Sequence, residues 1–207
     1  CHTLLVSKLD SYGISEPLLS WFKSYLTGRL SIVKFGGGYS NPFLVKSGVP
    51  QGSLLGPYLF NIFINDIGEV IESNFLMFAD DIKLFGVLNS IEDRAILQRS
   101  LDGVSRWCDE NFMQLNAKKS MVMSFHRGDE FVHANYYIQG EGLQRVQVIK
   151  DLGVHLNHAL SPDHHIDIIC AKANRLLGLL SRTARSGLST HSISILYKSL
   201  LRPILEY

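Results

Sequence analysis

Two adjacent carboxylates between two apolar runs constrain this chain more than any other feature. In Phe75-Leu76-Met77-Phe78-Ala79-Asp80-Asp81-Ile82-Lys83-Leu84-Phe85, the runs 74–79 and 82–85 meet at Asp80-Asp81. Short apolar runs broken by a turn signal predict two strands of a β-hairpin, with the acidic pair at its tip. Neighbouring ionised carboxylates repel, and apolar surroundings strengthen the repulsion. A divalent cation relieves it. Magnesium suits such a place because it takes one or two carboxylates and completes its octahedron with water and phosphate oxygens. Aspartate is also a favoured turn residue, so a plain Asp-Asp turn is the competing reading.

Around this hairpin the pattern predicts mixed helices and strands. Residues 3–12 form an amphipathic helix closed by Gly13. A second helix follows with Ser15 as N-cap, Pro17 in the first turn and Leu18, Leu19, Phe22 and Leu26 as its apolar stripe. Segments 30–35 and 43–46 flank three glycines and read as a hairpin. A phosphate loop is the alternative, but no helix N-terminus follows the glycines. After a Gly/Pro loop at 48–53, a helix is expected over 57–72 and another over 91–112, the latter with Leu97, Leu101, Val104 and Cys108 on one stripe. Short strands are expected at 120–126, 135–139, 143–149 and 152–156. A helix beginning at Ser161-Pro162 buries Ile169, Ala173, Leu176 and Leu180, and a last helix starts near Thr190. There is no βαβ rhythm, which favours an α+β domain with a largely antiparallel sheet.

The 207 residues make one domain, or one and the start of a second. A net charge of +1 says little about partners, because a binder of polyanions can gather its cations on one face. Cys1, Cys108 and Cys170 are far apart, which argues against a disulfide framework or a zinc ribbon. No apolar run reaches the ~18 residues of a membrane span, and no signal peptide opens the chain. The opening at Cys1 and the uncapped ending read as a fragment of something longer.

Beyond the acidic pair, the order of motifs becomes specific. GVPQGSLLGPYLF at 48–60, INDI at 64–67, FADD at 78–81, Trp107, LNAKKS at 115–120, KDLGVHLN at 150–157 and RPILEY at 202–207 together resemble the reverse transcriptases of non-LTR retrotransposons. The resemblance covers essentially the whole chain. It implies the palm of a right-hand polymerase, with fingers and palm over 1–157 and a helical thumb-like segment over 158–207. It also implies RNA-directed DNA synthesis by two magnesium ions about 3.5–4 Å apart, which activate the attacking hydroxyl and stabilise the leaving oxygen. Partners would be an RNA template, a DNA primer and deoxynucleoside triphosphates. With no apolar run long enough to span one, no membrane partner is expected, and the resemblance implies nuclear action during integration.

Residue by residue, the resemblance makes Asp80 and Asp81 the catalytic metal-binding pair, with Asp80 the more direct ligand. Pro50, Gln51, Gly52, Ser53 and Phe78 would lie along template and incoming nucleotide; a proline-glycine turn capping the next helix is the bland alternative for that loop. Lys119 matches a lysine that neutralises or protonates the departing pyrophosphate, against a merely solvated lysine. Leu152 and Gly153 match the hairpin that grips the primer, against an ordinary strand bulge. Lys172, Arg175, Arg182 and Arg185 recur opposite the leucines of their helix, a stripe suited to nucleic-acid phosphates, with a solvated basic face as the alternative. Asp163, His164, His165, Asp167 and Cys170 lack the spacing of a tetrahedral zinc site, and no metal is expected there.

The chain departs from the family at its start. The family's third carboxylate precedes a His-x-Leu-Leu segment, and this chain opens at Cys1-His2-Thr3-Leu4-Leu5. Asp10 lies at a helix end and does not substitute. The expectation is therefore a parent that polymerises, whose two-ion site depends on an upstream aspartate missing here, and a 207-residue piece that does not polymerise alone. The alternative is a non-catalytic nucleic-acid-binding remnant of a decayed or domesticated element. A nucleotide cyclase ranks last, having no use for the 48–53 loop or the 150–157 hairpin. Sequence does not give the template RNA, the oligomeric state or any endonuclease partner domain.

Overall fold

The structure is a computed structural model and describes residues 1–126 and 134–207. Its contacts separate two compact units. One comprises residues 1–119 with 134–143; the other holds the remaining described residues, 120–126 and 144–207.

In the first unit α1 (His2–Ser11) and α2 (Leu18–Leu26) precede a small β region. There β1 (Leu30–Ser31) pairs with β4 (Phe43–Leu44), and β2 (Lys34–Phe35) with β3 (Gly38–Tyr39). Next come α3 (Leu55–Ile64), a 3-10 turn Asn65–Val70, the hairpin β5 (Asn74–Phe78) and β6 (Asp81–Phe85), and α4 (Ile91–Glu110). After β7 (Met121–Val122), which belongs to the second unit, the chain returns for β8 (Tyr137–Ile138) and β9 (Glu141–Gly142). The core is where the four helices meet: Leu5 and Leu9 of α1, Leu26 of α2, Leu59, Phe63 and Ile64 of α3, Ile67, and Val104, Trp107 and Cys108 of α4. One polar node is set into it. The Lys8 ammonium donates to Asp66 Oδ1 and to the Phe63 carbonyl, each at 2.7 Å, and sits over the Phe63 and Trp107 rings. The Trp107 indole N–H donates to the same Asp66 oxygen at 3.1 Å. Lys8 thus keeps its charge among apolar neighbours by pairing, hydrogen bonding and ring contact together. Asp66, the acid of INDI, ties α1 and α4 to the end of α3.

α4 begins at a capping box in which Ser90 and Asp93 satisfy each other's backbone N–H. The Ser90 hydroxyl and the Asn89 N–H hold the Asp93 carboxyl below its ordinary range. The helix ends in a Schellman motif: Met113 N–H donates to the Cys108 carbonyl at 2.8 Å and Phe112 N–H to that of Asp109 at 3.3 Å. This places Phe112 at φ +55°, where a Cβ is crowded, and leaves its ring 76% exposed. Phe112→Gly is accordingly expected to stabilise the first unit by about 1 kcal/mol, measured as an upward shift of the urea midpoint; a downward shift would show the ring to be anchored.

In the second unit β10 (Gln144–Arg145) runs parallel to β7, β11 (Val148–Asp151) pairs antiparallel with β12 (Val154–Asn157), and α5 (Asp163–Arg185), α6 (Thr190–Leu196) and α7 (Arg202–Glu206) follow. α5 buries Ala173 and Leu180 and half-buries Ile169 and Leu176, the stripe its sequence predicts. The β11–β12 hairpin packs on α5, so compactness groups residues 148–157 with the helices after them.

The α+β class stands, but the extended sheet is corrected. Among the described residues there are separate two-stranded ladders, one of them parallel, rather than one largely antiparallel sheet. Most strands are two residues long, because turn residues such as Gly36, Gly37 and Gly140 at positive φ return the chain at once. The helix expected over 57–72 instead starts at Leu55 and tightens to a 3-10 turn after Ile64. There Gly68 lies against the Phe75 ring, which a Cβ would meet at 2.9 Å. Pro17 rather than Ser15 holds the N-cap position of α2. No helix among the described residues is long and apolar enough to cross a membrane.

Candidate active site

The β5–β6 ladder runs Asn74↔Phe85, Phe75↔Leu84, Leu76↔Lys83, Met77↔Ile82 and Phe78↔Asp81. Cross-strand partners share a face. Phe75, Met77, Ile82 and Leu84 therefore form the inner face, with Met77 and Ile82 packed on the core. Asp81 lies on the outer face with Phe78 and Lys83. The turn residues are Ala79 and Asp80, which corrects the expected tip: Asp81 already belongs to β6. Ala79 takes φ +51°, an uncommon conformation for a residue with a Cβ, so the tip stores strain beside the acids. Asp80 and Asp81 are both exposed. Neither side chain makes a hydrogen bond or ion pair among the described residues. Their four carboxylate oxygens are uncommitted hard donors, a set that fits a divalent cation completed by water and phosphate oxygens. No group of three His, Cys, Asp or Glu suited to a metal occurs among the described residues.

What fixes the hairpin's entry is Ser100, whose side chain is fully buried in α4. Its hydroxyl donates to the Ile96 carbonyl at 2.9 Å and accepts from the backbone N–H of Glu72 at 3.1 Å and of Ser73 at 2.9 Å, just before β5. Removing it leaves two backbone donors unsatisfied. Ser100→Ala is expected to cost about 2 kcal/mol, seen as a lower thermal midpoint, with Ser100→Thr less damaging; an unchanged midpoint for the alanine variant would count against this role.

The 48–53 loop is built locally. Gly48 and Gly52 sit at φ +82° and +77°. The Ser53 hydroxyl donates to the Pro50 carbonyl at 2.7 Å and accepts from Gly56 N–H at 3.0 Å. Gly56 lets α3 start against that carbonyl, which a Cβ would meet at 2.9 Å. Gln51 and Gly52 are exposed, Pro50 and Ser53 half-buried. From α1 the buried His2 donates its Nε2–H to the Gly48 carbonyl at 2.8 Å. Sequence reasoning did not single out His2 in this role; with the partners 46 positions apart, no spacing rule finds it. Lys119 is exposed on the 3-10 turn Ala117–Lys119, whose N–H donates to Asn116. No hydrogen bond or ion pair among the described residues joins Gln51 or Lys119 to the aspartates.

In the second unit Leu152 and Gly153, at φ +44° and +97°, form the two-residue turn between β11 and β12. The Tyr207 hydroxyl donates to the Leu152 carbonyl, and its ring occupies the space a Cβ on Gly153 would need. Lys172, Arg175, Arg182 and Arg185 all lie on α5, away from the buried Ala173 and Leu180. His155 of β12 lies against His164 and His165 at ring separations of 5.7 and 6.1 Å, and its backbone N–H donates to His165 Nδ1. Burial, then the charge of His164 and Lys150, holds the His155 imidazole below its ordinary pKa.

An acidic hairpin on an α+β core, with a glycine-bent Gln-Gly loop beside the same helices, defines a class that comparison makes explicit. Residues 2–156 match the family described as "Reverse transcriptase (RNA-dependent DNA polymerase)", and the chain belongs to that family. Among its relatives is the "RNA-directed DNA polymerase from mobile element jockey" of Drosophila melanogaster, 30% identical over 89% of this chain and 21% of the relative. The protein of the same name from Drosophila funebris is 30% identical over 100% of this chain and 24% of its own length. The chain thus spans about a quarter or less of the relatives it matches. The resemblance read from the motif order, to reverse transcriptases of non-LTR retrotransposons, is borne out by these matches.

Proposed function

We propose that the protein carrying this chain is an RNA-directed DNA polymerase of a non-LTR retrotransposon, extending a DNA primer on an RNA template with deoxynucleoside triphosphates. The observation that carries the reading is the pair Asp80 and Asp81, exposed and without protein partners among the described residues at a strained turn, in a chain of the reverse transcriptase family. On this reading residues 1–157 are fingers and palm and 158–207 begin the thumb. Asp80 and Asp81 hold magnesium, which when bound stabilises charge on the attacking and leaving oxygens. The ladder keeps Asp81 on the outer face, and the turn presents Asp80 beside it. The 48–53 loop exposes Gln51, whose amide both donates and accepts, and Gly52, whose bare backbone admits close approach. Phe78, on the face of Asp81, offers a ring to sugar or base. Lys119 supplies a positive charge for the departing pyrophosphate, the Leu152-Gly153 turn meets the primer strand, and the cations of α5 meet phosphates. The work would be done in the nucleus, at nicked chromosomal DNA.

The two carboxylates supply part of a two-ion ligand set, since no third ligand groups with them among the described residues. The 207 residues alone are therefore expected not to extend a primer. The alternative reading is a nucleic-acid-binding remnant without catalysis. Primer extension on poly(rA)/oligo(dT) with magnesium separates the two: the protein carrying this chain extends if it is a polymerase, and binds without extending if it is a remnant.

A further inference from the structure

The outer edge of β12 is met by an imidazole. The β11–β12 ladder turns through Leu152 and Gly153 from the pair Asp151↔Val154. In such a hairpin hydrogen-bonded pairs alternate with non-bonded ones, so Asp151↔Val154 is bonded across the ladder and Lys150↔His155 is not. The His158 N–H, which donates to the Gln147 carbonyl, keeps the same alternation. The His155 N–H therefore points away from β11, and it donates to Nδ1 of His165 in the first turn of α5, at 3.2 Å. A backbone N–H only donates, so this Nδ1 accepts and is bare of a proton. Once protonated, the same nitrogen no longer accepts. The bond ties α5 to the strand it packs on, and it exists only while His165 is neutral.

The charges around this bond have one sign. The half-buried His155 ring stacks on that of His165 and meets His164 edge-on. Lys150 is its cross-strand partner on the same face, and Lys172 lies about two turns beyond His165 on α5. The acids of the surrounding elements are placed elsewhere. Asp151 belongs to the opposite face of the hairpin, with Val154. Asp163 accepts from the Ser161 hydroxyl at 2.6 Å, and Asp167 is exposed one turn further on. On α7, Glu206 pairs with Arg202. At the far end of the hairpin His158 stacks on His126. Burial, then His164, Lys150, His165 and Lys172 in that order, holds the His155 imidazole below its ordinary value. A group so depressed lends its full stability above that ordinary value and loses it as the pH falls.

We infer that His165 is a proton-sensitive clasp: neutral, it holds the β11–β12 hairpin on α5, and protonation of the His155, His164 and His165 group releases it. The three rings are not grouped as a metal site among the described residues; the cation they take up is a proton. At His165 that proton removes the acceptor and turns two N–H groups toward each other. At His155 or His164 it sets like charges against one another and against Lys150 and Lys172. Positive charge in the first turn of α5 also meets the positive end of the helix. The clasp needs neither metal nor nucleic acid. Only its consequence rests on the polymerase reading, since the hairpin it frees carries the Leu152-Gly153 turn assigned there to the primer.

The test is amide hydrogen exchange of residues 148–157 in the full chain, in EDTA, with intrinsic exchange rates divided out. It compares about pH 5.5 with about pH 7.5, either side of the ordinary imidazole value. Protection of the hairpin is expected to fall about tenfold at the lower pH, while α4 keeps its protection. His165→Asn offers an amide oxygen that accepts and does not titrate, so its hairpin should stay protected at both pH values. His165→Ala should leave it exchanging quickly at both. His155→Gln removes one of the charges and should shrink the step. The inference is overturned if the parent hairpin is equally protected at both pH values, or if His165→Asn shows the parental step. It is overturned too if α4 loses protection in equal measure, because the chain then opens as a whole. Should His165→Asn not fold, a step of parental size in His155→Gln is the overturning result. None of these outcomes bears on Asp80 and Asp81, whose roles primer extension decides.

Discussion

Asp80→Asn and Asp81→Asn are each expected to lower primer extension by the protein carrying this chain at least a thousandfold, with the thermal midpoint unmoved. Loss of a metal ligand removes several kcal/mol of charge stabilisation from the transition state, and each ~1.36 kcal/mol is a factor of ten in rate. Stability should hold because both side chains are exposed and make no bond among the described residues. Asparagine has nearly the same volume, and it suits a turn as well as aspartate does. Surface substitutions of this kind stay within about 0.5 kcal/mol. The combination is what decides. If the acids were only turn formers, the amide variants would polymerise normally. If they mattered only to folding, both readouts would fall together. A manganese titration of the 207-residue chain adds a third measurement: binding at the hairpin should vanish in the doubly substituted chain.

The elements that carry the site were legible where local chemistry alone sets them. The apolar runs 74–79 and 82–85 on either side of an acidic turn predict the β5–β6 hairpin, and the structure shifts its turn by one residue. That shift was not legible, because Ala79 takes a positive φ that nothing in its side chain advertises. The triple glycine 36–38 marks the hairpin of 30–35 and 43–46, and the stripe of Ile169, Ala173, Leu176 and Leu180 marks α5. The α4 stripe was read from Leu97, Leu101, Val104 and Cys108. The structure buries Val104 and Cys108 but adds Ser100, Gly103 and Trp107. A serine and a glycine look like a solvent face to any pattern of hydrophobicity. They are buried because the backbone they meet, at Glu72, Ser73 and Val70, comes too close for anything larger or demands a hydroxyl. His2 and Gly48 escape for a related reason. Contacts made to backbone atoms across tens of residues leave no periodicity.

Gly103 gives the largest effect expected on stability. A Cβ built there would lie 2.3 Å from the Val70 carbonyl oxygen and 3.3 Å from its carbon, so α4 touches the 3-10 turn through bare backbone. Alanine in mid-helix normally gains about 1 kcal/mol over glycine. Here that gain is overwhelmed, because the nearest atom belongs to backbone and moves only with the turn. Overpacking commonly costs about 1–3 kcal/mol, and displacing backbone lies at or beyond the upper end. Gly103→Ala is therefore expected to destabilise the first unit by about 3 kcal/mol, and Gly103→Val by more. At about 2–4 °C per kcal/mol for a chain of this size, the midpoint should fall by roughly 6–12 °C. Gly86 is the internal comparison: no atom lies within 4 Å of the point its Cβ would occupy and its φ is not in the strained range, so Gly86→Ala should stay within about 0.5 kcal/mol. Because Val70 leads through residues 71–73 into β5, the Gly103 substitution should also disturb the acidic hairpin. Metal affinity ought then to fall in Gly103→Ala at temperatures where the chain is still folded. Equal midpoints for the Gly103 and Gly86 variants would mean that α4 and the turn stand further apart than this packing requires.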